Sequence, residues 1–146
     1  NGKFLYFDNE QASSVTAYKF DASTGTIEAF QTLSTLPDDW SGENSNAQIH
    51  MSPDGKYLYA ANRGHNSIAM YSVNSETGEL TSLGQQKSLG TPRAFGIDPT
   101  GKFMLVGGLD NGDLATYKIE PTGTLSHLNT QPIGDLPMWI HITDPV

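Results

Sequence analysis

The chain opens with NGKFLYF (residues 1–7), repeats that pattern as PDGKYLY (53–59) and repeats it again as PTGKFML (99–105). In every copy a tyrosine follows the glycine at the same distance of sixteen residues, and these tyrosines are Tyr18, Tyr71 and Tyr117. The period is therefore 53 residues and then 46 residues. Repeats of this length, made of short apolar runs between glycine turns, indicate a solenoid or a propeller.

Each repeat is interpreted as four short strands. In the central repeat, runs at 49–52, 56–62, 67–73 and 79–84 carry apolar, aromatic or β-branched residues without helical spacing. Pro-Asp-Gly, Pro-Thr-Gly and the Asp-Asn-Gly-Asp run at 110–113 supply tight turns. The last run is not interpreted as a calcium loop, because the spaced carboxylates and the closing glutamate are missing. These features predict an all-β fold, a β-propeller with four-stranded blades.

The blade repeats set the expected domain organisation. With strands labelled A to D from the axis outward, the chain starts at strand B and continues through blade repeats at about 1–46, 47–92 and 93–135. An extra inner strand is expected at 136–143. Propellers close with about 4–8 blades, so three blades do not close a ring. We therefore expect a single partial propeller domain, either within a longer chain or completed by self-association through its open blade edges.

Composition limits the classes of partner. Eight Lys and Arg residues stand against sixteen Asp and Glu residues, a net charge of −8, which argues against nucleic acid as the main partner. No apolar run approaches the roughly 20 residues of a membrane span, so no membrane partner is expected. The chain has no cysteine, which favours a reducing compartment, and we expect a cytoplasmic protein.

The repeats also separate scaffold residues from residues that the fold does not require. Lysines occupy one turn position in all three repeats, at Lys3, Lys56 and Lys102. The two arginines, Arg63 and Arg93, fall outside this pattern. Arg63 is equivalent to Glu10 in the preceding repeat and to Leu109 in the following one. A base, an acid and an apolar residue at one repeat position indicate a role outside the fold.

Blade topology predicts where these unusual residues lie. In a blade wound from A to D, the B–C loops and the D–A connections share one face of the disc. Glu10 and Arg63 end strand B, and His65 lies in the loop that follows. Arg93 ends a D–A connection, and the longer connection at 36–47 brings Trp40, Glu43 and Asn44 over the same face. Long loops on a rigid scaffold commonly carry binding sites.

Each candidate also has a structural interpretation. Glu10 and Arg63 would form an inter-blade ion pair, and His50 would be an inner-strand histidine that donates to a carbonyl. His65 would be a solvated loop residue, and Trp40 would pack its own loop. The histidines are too far apart in sequence to predict a zinc site, and no nucleophile or phosphate-loop motif is present.

Two segments, Gln31–Tyr71 and Thr91–Gly108, resemble the lactonase family of seven-bladed propellers. Asn62–Ile68 (NRGHNSI) matches a signature of that family, Asn-Arg-Gly-His-Asp-Ser-Ile, with one change. The family includes bacterial 6-phosphogluconolactonases and fungal carboxymuconate-cyclising enzymes. The resemblance implies a seven-bladed ring of which this chain supplies the C-terminal three blades.

The resemblance also implies roles for individual residues. Glu10 takes the place of the family's Asn-Glu-Leu acid, Arg63 of its channel arginine and Arg93 of its Pro-Arg pair, while His50 lies in the Ile-His pair of its Ala-Glu-Ile-His motif. The chain departs from the family at three positions within or beside these motifs, which are Gln11, Gln48 and Asn66. A histidine and an arginine that relatives present from earlier blades have no counterpart in this chain, so we expect the isolated segment to be inactive.

The implied activity is hydrolysis of a lactone without metal or cofactor. Glu10 would act as the general base for water, and Arg63 would stabilise the tetrahedral oxyanion. Arg93, helped by His50 or His65, would bind the carboxylate or phosphate of a small anionic sugar lactone. Two alternatives stay open, a non-catalytic binding or assembly module and a carboxymuconate-type cyclase, since one fold hosts many functions.

Overall fold

The computed structural model describes residues 2–143, and within them the strands form three antiparallel sheets, which we call blades 1 to 3. Blade 1 contains β1 (Phe4–Asn9), β2 (Ser14–Asp21) and β3 (Thr26–Ser34), with a 3₁₀ helix at Glu10–Ala12 between the first two. Blade 2 contains β4 (Ser45–Met51), β5 (Tyr57–Arg63), β6 (Ser67–Val73) and β7 (Leu80–Lys87). Blade 3 contains β8 (Pro92–Ile97), β9 (Phe103–Gly108), β10 (Asp113–Ile119) and β11 (Leu125–Pro132).

Each blade is a simple meander in which strands adjacent in sequence are also paired. The predicted all-β fold and the predicted strand sequence, three strands and then two sets of four, are confirmed. Apolar alternation and glycine turns carry this information, because period-two burial and positive-φ turns specify hairpins locally.

The expected extra inner strand at 136–143 was wrong, because that segment forms no strand. Ile140 and Ile142 instead lie against Gly96 of β8, and Pro137 lies against Gly107 of β9. A strand is defined by backbone hydrogen bonds to a neighbour, and none of the sheets in residues 2–143 includes this segment. It therefore packs against blade 3 without adding a strand to its sheet.

The hydrophobic core lies between the blades, and β5 contributes to both sides of blade 2. Leu58 and Ala60 pack toward blade 1 with Val15, whereas Tyr59 and Ala61 join the cluster that includes Phe95 and Met104 of blade 3. All seven of these residues are at most 2% exposed. A strand buried on both faces reads as a continuous apolar run, as YLYAA does at 57–61.

Tyrosines join the blades and explain part of the repeat. The Tyr6 hydroxyl donates to the Gly78 carbonyl at 2.8 Å, and one period later Tyr59 donates to the Gly123 carbonyl at 2.9 Å. A Cβ on Gly78 would lie 2.4 Å from the Phe4 ring of the neighbouring blade. Glycine at this turn is therefore required by blade packing as well as by its φ of +74°.

We call the end of the blades at which β1 and β5 finish and β4 and β8 begin the loop face. The register places Ser45, at the start of β4, opposite Arg63, at the end of β5. The backbone N–H of Thr91, just before β8, donates to the Asn66 side chain in the β5–β6 loop at 3.0 Å. The topology thus brings loops from all three blades together at one end, as the sequence predicted.

Candidate functional site

Glu10 and Arg63 meet on the loop face, and their predicted contact is confirmed. Glu10 begins the 3₁₀ helix after β1, and its Oε1 accepts a hydrogen bond from Nη2 of Arg63, the last residue of β5. The Glu10 side chain is 57% exposed and that of Arg63 is 20% exposed. Because water screens such a pair, its contribution to folding stability is about 0–1 kcal/mol. The fold therefore depends little on this contact, and a ligand can replace it at small cost.

The Arg63 guanidinium is held in a fixed orientation from one side. Its Nε and Nη2 donate to the main-chain oxygen of Asn46, at 3.2 and 2.7 Å. Among residues 2–143 no acceptor is bonded to Nη1, and the side chain lines an open cleft. A guanidinium has five N–H donors, so two of them stay available to an incoming oxyanion or carboxylate.

A cluster of buried polar side chains holds Asn46, the residue whose carbonyl binds the guanidinium. Thr35, Asn46 and Asn62 are fully buried, and the Thr35 hydroxyl lies 3.1 Å from Asn46 Oδ1 and 2.7 Å from Asn62 Oδ1. Asn44 Nδ2 donates to the same two oxygens, at 3.3 and 3.1 Å. Buried polar groups persist in cores when they are bonded in this way, and such networks favour one arrangement. The long connection at 36–44 is thereby tied to β4 and β5.

Asp8 is a further candidate site residue, which the sequence prediction missed. It faces blade 2 on the same side of β1 as Tyr6, and its Oδ1 accepts a hydrogen bond from Asn46 Nδ2. Burial is the largest effect and raises the pKa of Asp8 to about 6. The charge of Glu10 also raises this pKa, whereas the Asn46 hydrogen bond and the charge of Arg63 lower it. A signal was present, because the repeat equivalents of Asp8 are Ala61 and Gly107.

A cleft of about 640 Å³ opens beside Arg63. Its lining is mostly polar and uncharged, and comprises Gln11, Glu43, Asn44, Ser45, Arg63, Gly64 and Thr91. Gly64 lies at φ +128°, where a Cβ would sit 2.3 Å from the main-chain oxygen of Glu43. The close approach of the two loops therefore requires glycine at this position.

His65 and Trp40 pack against each other at the edge of this cleft. Their ring centroids are 4.8 Å apart in an edge-on arrangement. The His65 ring Nδ1 lies 2.7 Å from Ser67 Oγ, and its backbone N–H donates to Asn44 Oδ1 at 3.1 Å. His65 is thus an ordered part of the loop face, and Trp40 packs on it instead of presenting a free stacking surface.

His50 lies away from Arg63 and packs against β8, the strand that carries Arg93. On β5 the partner of His50 is Tyr59, four residues before Arg63, a separation of about 13 Å at roughly 3.3 Å per residue. The His50 ring packs edge-on against Phe95, and burial lowers its pKa. The packing on Phe95 and the lowered pKa disfavour His50 as an anion ligand, while the carbonyl hydrogen bond expected of a structural His50 is not found among residues 2–143.

Arg93 lies on the loop face, but it is the second residue of β8 and not the end of the D–A connection that the sequence predicted. It sits in a register shift between Pro92 and Ala94, two residues after Thr91, which lines the cleft. In the described part of the chain Arg93 forms neither an ion pair nor a side-chain hydrogen bond. Within residues 2–143 its donors are therefore free for an anion.

Two other kinds of site are absent from the described residues. No three His, Cys, Asp or Glu side chains in residues 2–143 are grouped so that they could hold a metal ion. None of the helices in that range is both long and apolar enough to cross a membrane.

Comparisons with known proteins agree with this architecture. The family model described as "Lactonase, 7-bladed beta-propeller" matches residues 1–142. A protein of Pectobacterium carotovorum named 6-phosphogluconolactonase is 34% identical over 143 residues, which cover 97% of this chain and 43% of that protein. A Klebsiella pneumoniae protein of the same name is 35% identical over 141 residues, 96% of this chain and 43% of that protein.

Solved structures give the same result. The periplasmic gluconolactonase of Pseudomonas aeruginosa superimposes with a TM-score of 0.86 and 25% identity, covering 92% of this chain and 38% of that one. A Lactobacillus plantarum protein superimposes with a TM-score of 0.89 and 31% identity, covering 94% of this chain and 41% of that one.

The chain spans about 43% of the length of the curated relatives that it matches. The family match nevertheless extends over nearly the whole chain. Fold, strand order and sequence match agree, and this chain belongs to the lactonase family of seven-bladed β-propellers.

Proposed function

We propose that the protein containing this chain hydrolyses the lactone of a sugar acid on the loop face of its propeller. The observation that carries the proposal is the meeting of Glu10 and Arg63 beside a polar cleft of about 640 Å³. A carboxylate and a partly covered arginine supply the two groups that ester opening needs, a proton acceptor for water and a stabiliser of negative charge.

The relatives support the choice of substrate class. The Pectobacterium carotovorum and Klebsiella pneumoniae relatives are named 6-phosphogluconolactonase, and the Pseudomonas aeruginosa structure is named a gluconolactonase. The cleft lining supports the same class, because the side chains of Asn44, Ser45 and Thr91 are suited to the hydroxyl groups of a sugar ring. We therefore propose a gluconolactone, with or without a phosphate, as the substrate.

Arg63 would stabilise the transition state. As water attacks the lactone carbonyl, negative charge develops on the carbonyl oxygen, and the free Nη1 donors of Arg63 can approach it. The two bonds to the Asn46 carbonyl hold the guanidinium in place before the reaction. A preorganised donor of this kind is typically worth about 2.7–4 kcal/mol of barrier.

Glu10 would accept the proton of the attacking water. Its carboxylate is exposed toward solvent and bonded to Arg63 through one oxygen. When the tetrahedral intermediate collapses, the bond from the carbonyl carbon to the ring oxygen breaks and the proton passes from Glu10 to that oxygen. The products are an open-chain hydroxy acid and a regenerated carboxylate.

Arg93 would bind an anionic group of the substrate. It lies on the loop face without an internal partner among the described residues, and a guanidinium binds phosphate and carboxylate with two parallel hydrogen bonds. His65 lies on the same face and can add a donor. His50, on β4, has no part in this step because its ring packs against Phe95 of β8.

One observation favours a second candidate, a propeller that serves as a binding or assembly module. Arg63 bridges blades 1 and 2 through Glu10 and the Asn46 carbonyl, which is what a structural ion pair between blades does. In that case the pair would hold the blades together, and the cleft would bind a ligand without reaction.

The experiment is a hydrolysis assay with the complete protein on gluconolactone and its 6-phosphate, each compared with the spontaneous reaction. The lactonase proposal expects acceleration of at least one substrate, and Arg93→Met is expected to lower the rate on the phosphate more than on the neutral lactone. The matched control is Lys102→Met, an exposed cation in a turn at the other end of the blade. Ligand binding without any acceleration would favour the binding module.

A further inference from the structure

Asp8 has no part in the proposed reaction, yet it is the most buried carboxylate near the site. Tyr6, Asp8 and Glu10 alternate along the chain, and each contacts blade 2. Asp8 is half-buried, whereas Glu10 beside it is exposed. A carboxylate held in such a place loses hydration, so the fold alone gives no reason for it.

A single residue links Asp8 to Arg63. The Asp8 carboxylate accepts a hydrogen bond from the side-chain Nδ2 of Asn46, at 2.5 Å. The main-chain oxygen of the same Asn46 accepts both hydrogen bonds from the Arg63 guanidinium. Any movement of Asn46 therefore moves the acceptor that orients Arg63.

Asn46 needs this link because regular pairing ends beside it. The register of β4 against β5 shifts between Asn46 and Ile49, so the strand ladder does not fix the residue on that side. The Asn46 Oδ1 already receives donors from Thr35 and Asn44, which sets the amide so that its Nδ2 points the other way. Asp8 is the acceptor found there, and an ionised carboxylate makes the stronger, charge-assisted bond.

We propose that Asp8 is a positioning residue, whose carboxylate holds Asn46 and, through the Asn46 carbonyl, sets the orientation of the Arg63 guanidinium. Its effect on catalysis rests on the proposed function. Its effect on the geometry of Arg63 does not, and can be measured without a substrate.

The surroundings of Asp8 indicate when the link weakens. Among the described residues, the titratable and charged groups that interact with it are Glu10 from the 3₁₀ helix, Arg63 from β5 and Tyr71 from β6, while β4 contributes the neutral Asn46. Burial is the main cause that raises the pKa of Asp8 to about 6. Protonation between about pH 7 and pH 5 removes the charge from the acceptor of the Asn46 hydrogen bond and thereby weakens the link to Arg63.

The test is a titration of the Arg63 Nε–H signal by NMR, in the complete protein labelled with ¹⁵N-arginine. Loss of the signal in Arg63→Lys assigns it. The proposal expects the Arg63 shift to follow one step with a midpoint near pH 6. Asp8→Asn keeps the shape and an acceptor oxygen, and is expected to abolish that step. Arg93 is expected to show no step that depends on Asp8.

Two controls separate this result from other titrations. Asp39→Asn removes an exposed carboxylate from the 36–44 connection, and His65→Gln removes the histidine next to the site, and both are expected to keep the step. A flat wild-type titration, or a step that survives Asp8→Asn, would overturn the proposal. If Asp8→Asn does not fold, a wild-type step near pH 6 that persists in both control variants supports the proposal, and a flat wild-type titration overturns it. A failed lactone assay would not change this conclusion, because no substrate is used.

Discussion

At the scale of single residues, three charged side chains of the site differ in how much water reaches them. Glu10 is exposed, Asp8 is half-buried, and Arg63 is mostly covered. The exposed ion pair adds little to folding stability, whereas the buried carboxylate opposes it when ionised. Stability and chemistry are therefore separable in this cluster, and mutations can test them one at a time.

We predict that Asp8→Asn stabilises the chain at neutral pH. Because the pKa of Asp8 is raised in the folded state, the folded chain holds the proton more tightly than the unfolded chain. The stability that protonation provides is present below about pH 4 and is lost as the pH rises through about 6. Solvent screening reduces the cost of ionisation to about 1 kcal/mol, or a Tm difference of roughly 2–4 °C.

Thermal unfolding from pH 4 to pH 8 measures this effect. The Tm advantage of Asp8→Asn is expected to be near zero at pH 4 and to grow up to pH 7. Asp39→Asn, in an exposed connection, serves as the matched control and is expected to show no such trend. An advantage that stayed constant with pH, or a loss of stability at pH 7, would contradict the assignment.

Sequence comparison between repeats found Glu10 and Arg63 because they break a pattern that the fold repeats. Asp8 breaks the same pattern, since its equivalents are Ala61 and Gly107, and could have been found by the same comparison. The buried partners Asn46 and Thr35 could not, because their importance depends on which hydrogen bonds the folded loops complete. The packing of His50 against Phe95 could not be predicted either, because a motif gives residue types and not their position along a strand.

At the scale of elements, the site depends on two loops that approach closely, the connection at 36–44 and the β5–β6 loop. Asn44 bonds to the buried amides of β4 and β5 and also accepts the His65 backbone N–H. Gly64 has the positive φ that lets the two backbones meet. The cleft is therefore shaped by these contacts, on a scaffold of regular strands.

We predict that Gly64→Ala destabilises the protein far more than a positive-φ glycine at an open position. Gly25→Ala is the control, because Gly25 has φ +72° and no heavy atom near the position of a Cβ, so it is expected to cost about 1–2 kcal/mol. The Cβ of Gly64→Ala would meet the Glu43 carbonyl, and we expect at least roughly twice that loss. Urea unfolding of both variants measures the difference, and equal losses would show that the loops are not in close contact.

Strand bounds were predictable where the strand pairing is regular, and they were not predictable where a register shift interrupts it. The expected runs at 56–62 and 67–73 correspond to β5 and β6 within one residue. The run at 49–52 was too short, because β4 begins at Ser45 and its register shift after Asn46 interrupts the alternation. The run at 79–84 was also short, since β7 continues to Lys87 beyond a shift at Gly84, whose φ is +89°.

At the scale of the whole molecule, apolar side chains are exposed to water in the first blade and in the segment after the last blade. Phe7 on β1 is 47% exposed, and Trp139, after blade 3, is 74% exposed. Self-association through these ends stays a prediction. We expect the 146-residue chain, expressed alone, to form dimers or larger species, because open sheet edges with apolar flanks pair with other chains. Sedimentation at micromolar concentration measures this, and a compact folded monomer would contradict it.

The central claim is that Glu10 and Arg63 serve catalysis and not the fold. The direct measurement is kcat/KM for lactone hydrolysis beside Tm, for Glu10→Gln and Arg63→Met in the complete protein. The exposed pair Lys118–Glu120 supplies the control variant, Glu120→Gln. The account predicts at least a tenfold loss of kcat/KM, about 1.4 kcal/mol of barrier, in both site variants with Tm nearly unchanged. Parallel losses of activity and Tm would contradict it and identify the pair as a structural link between blades.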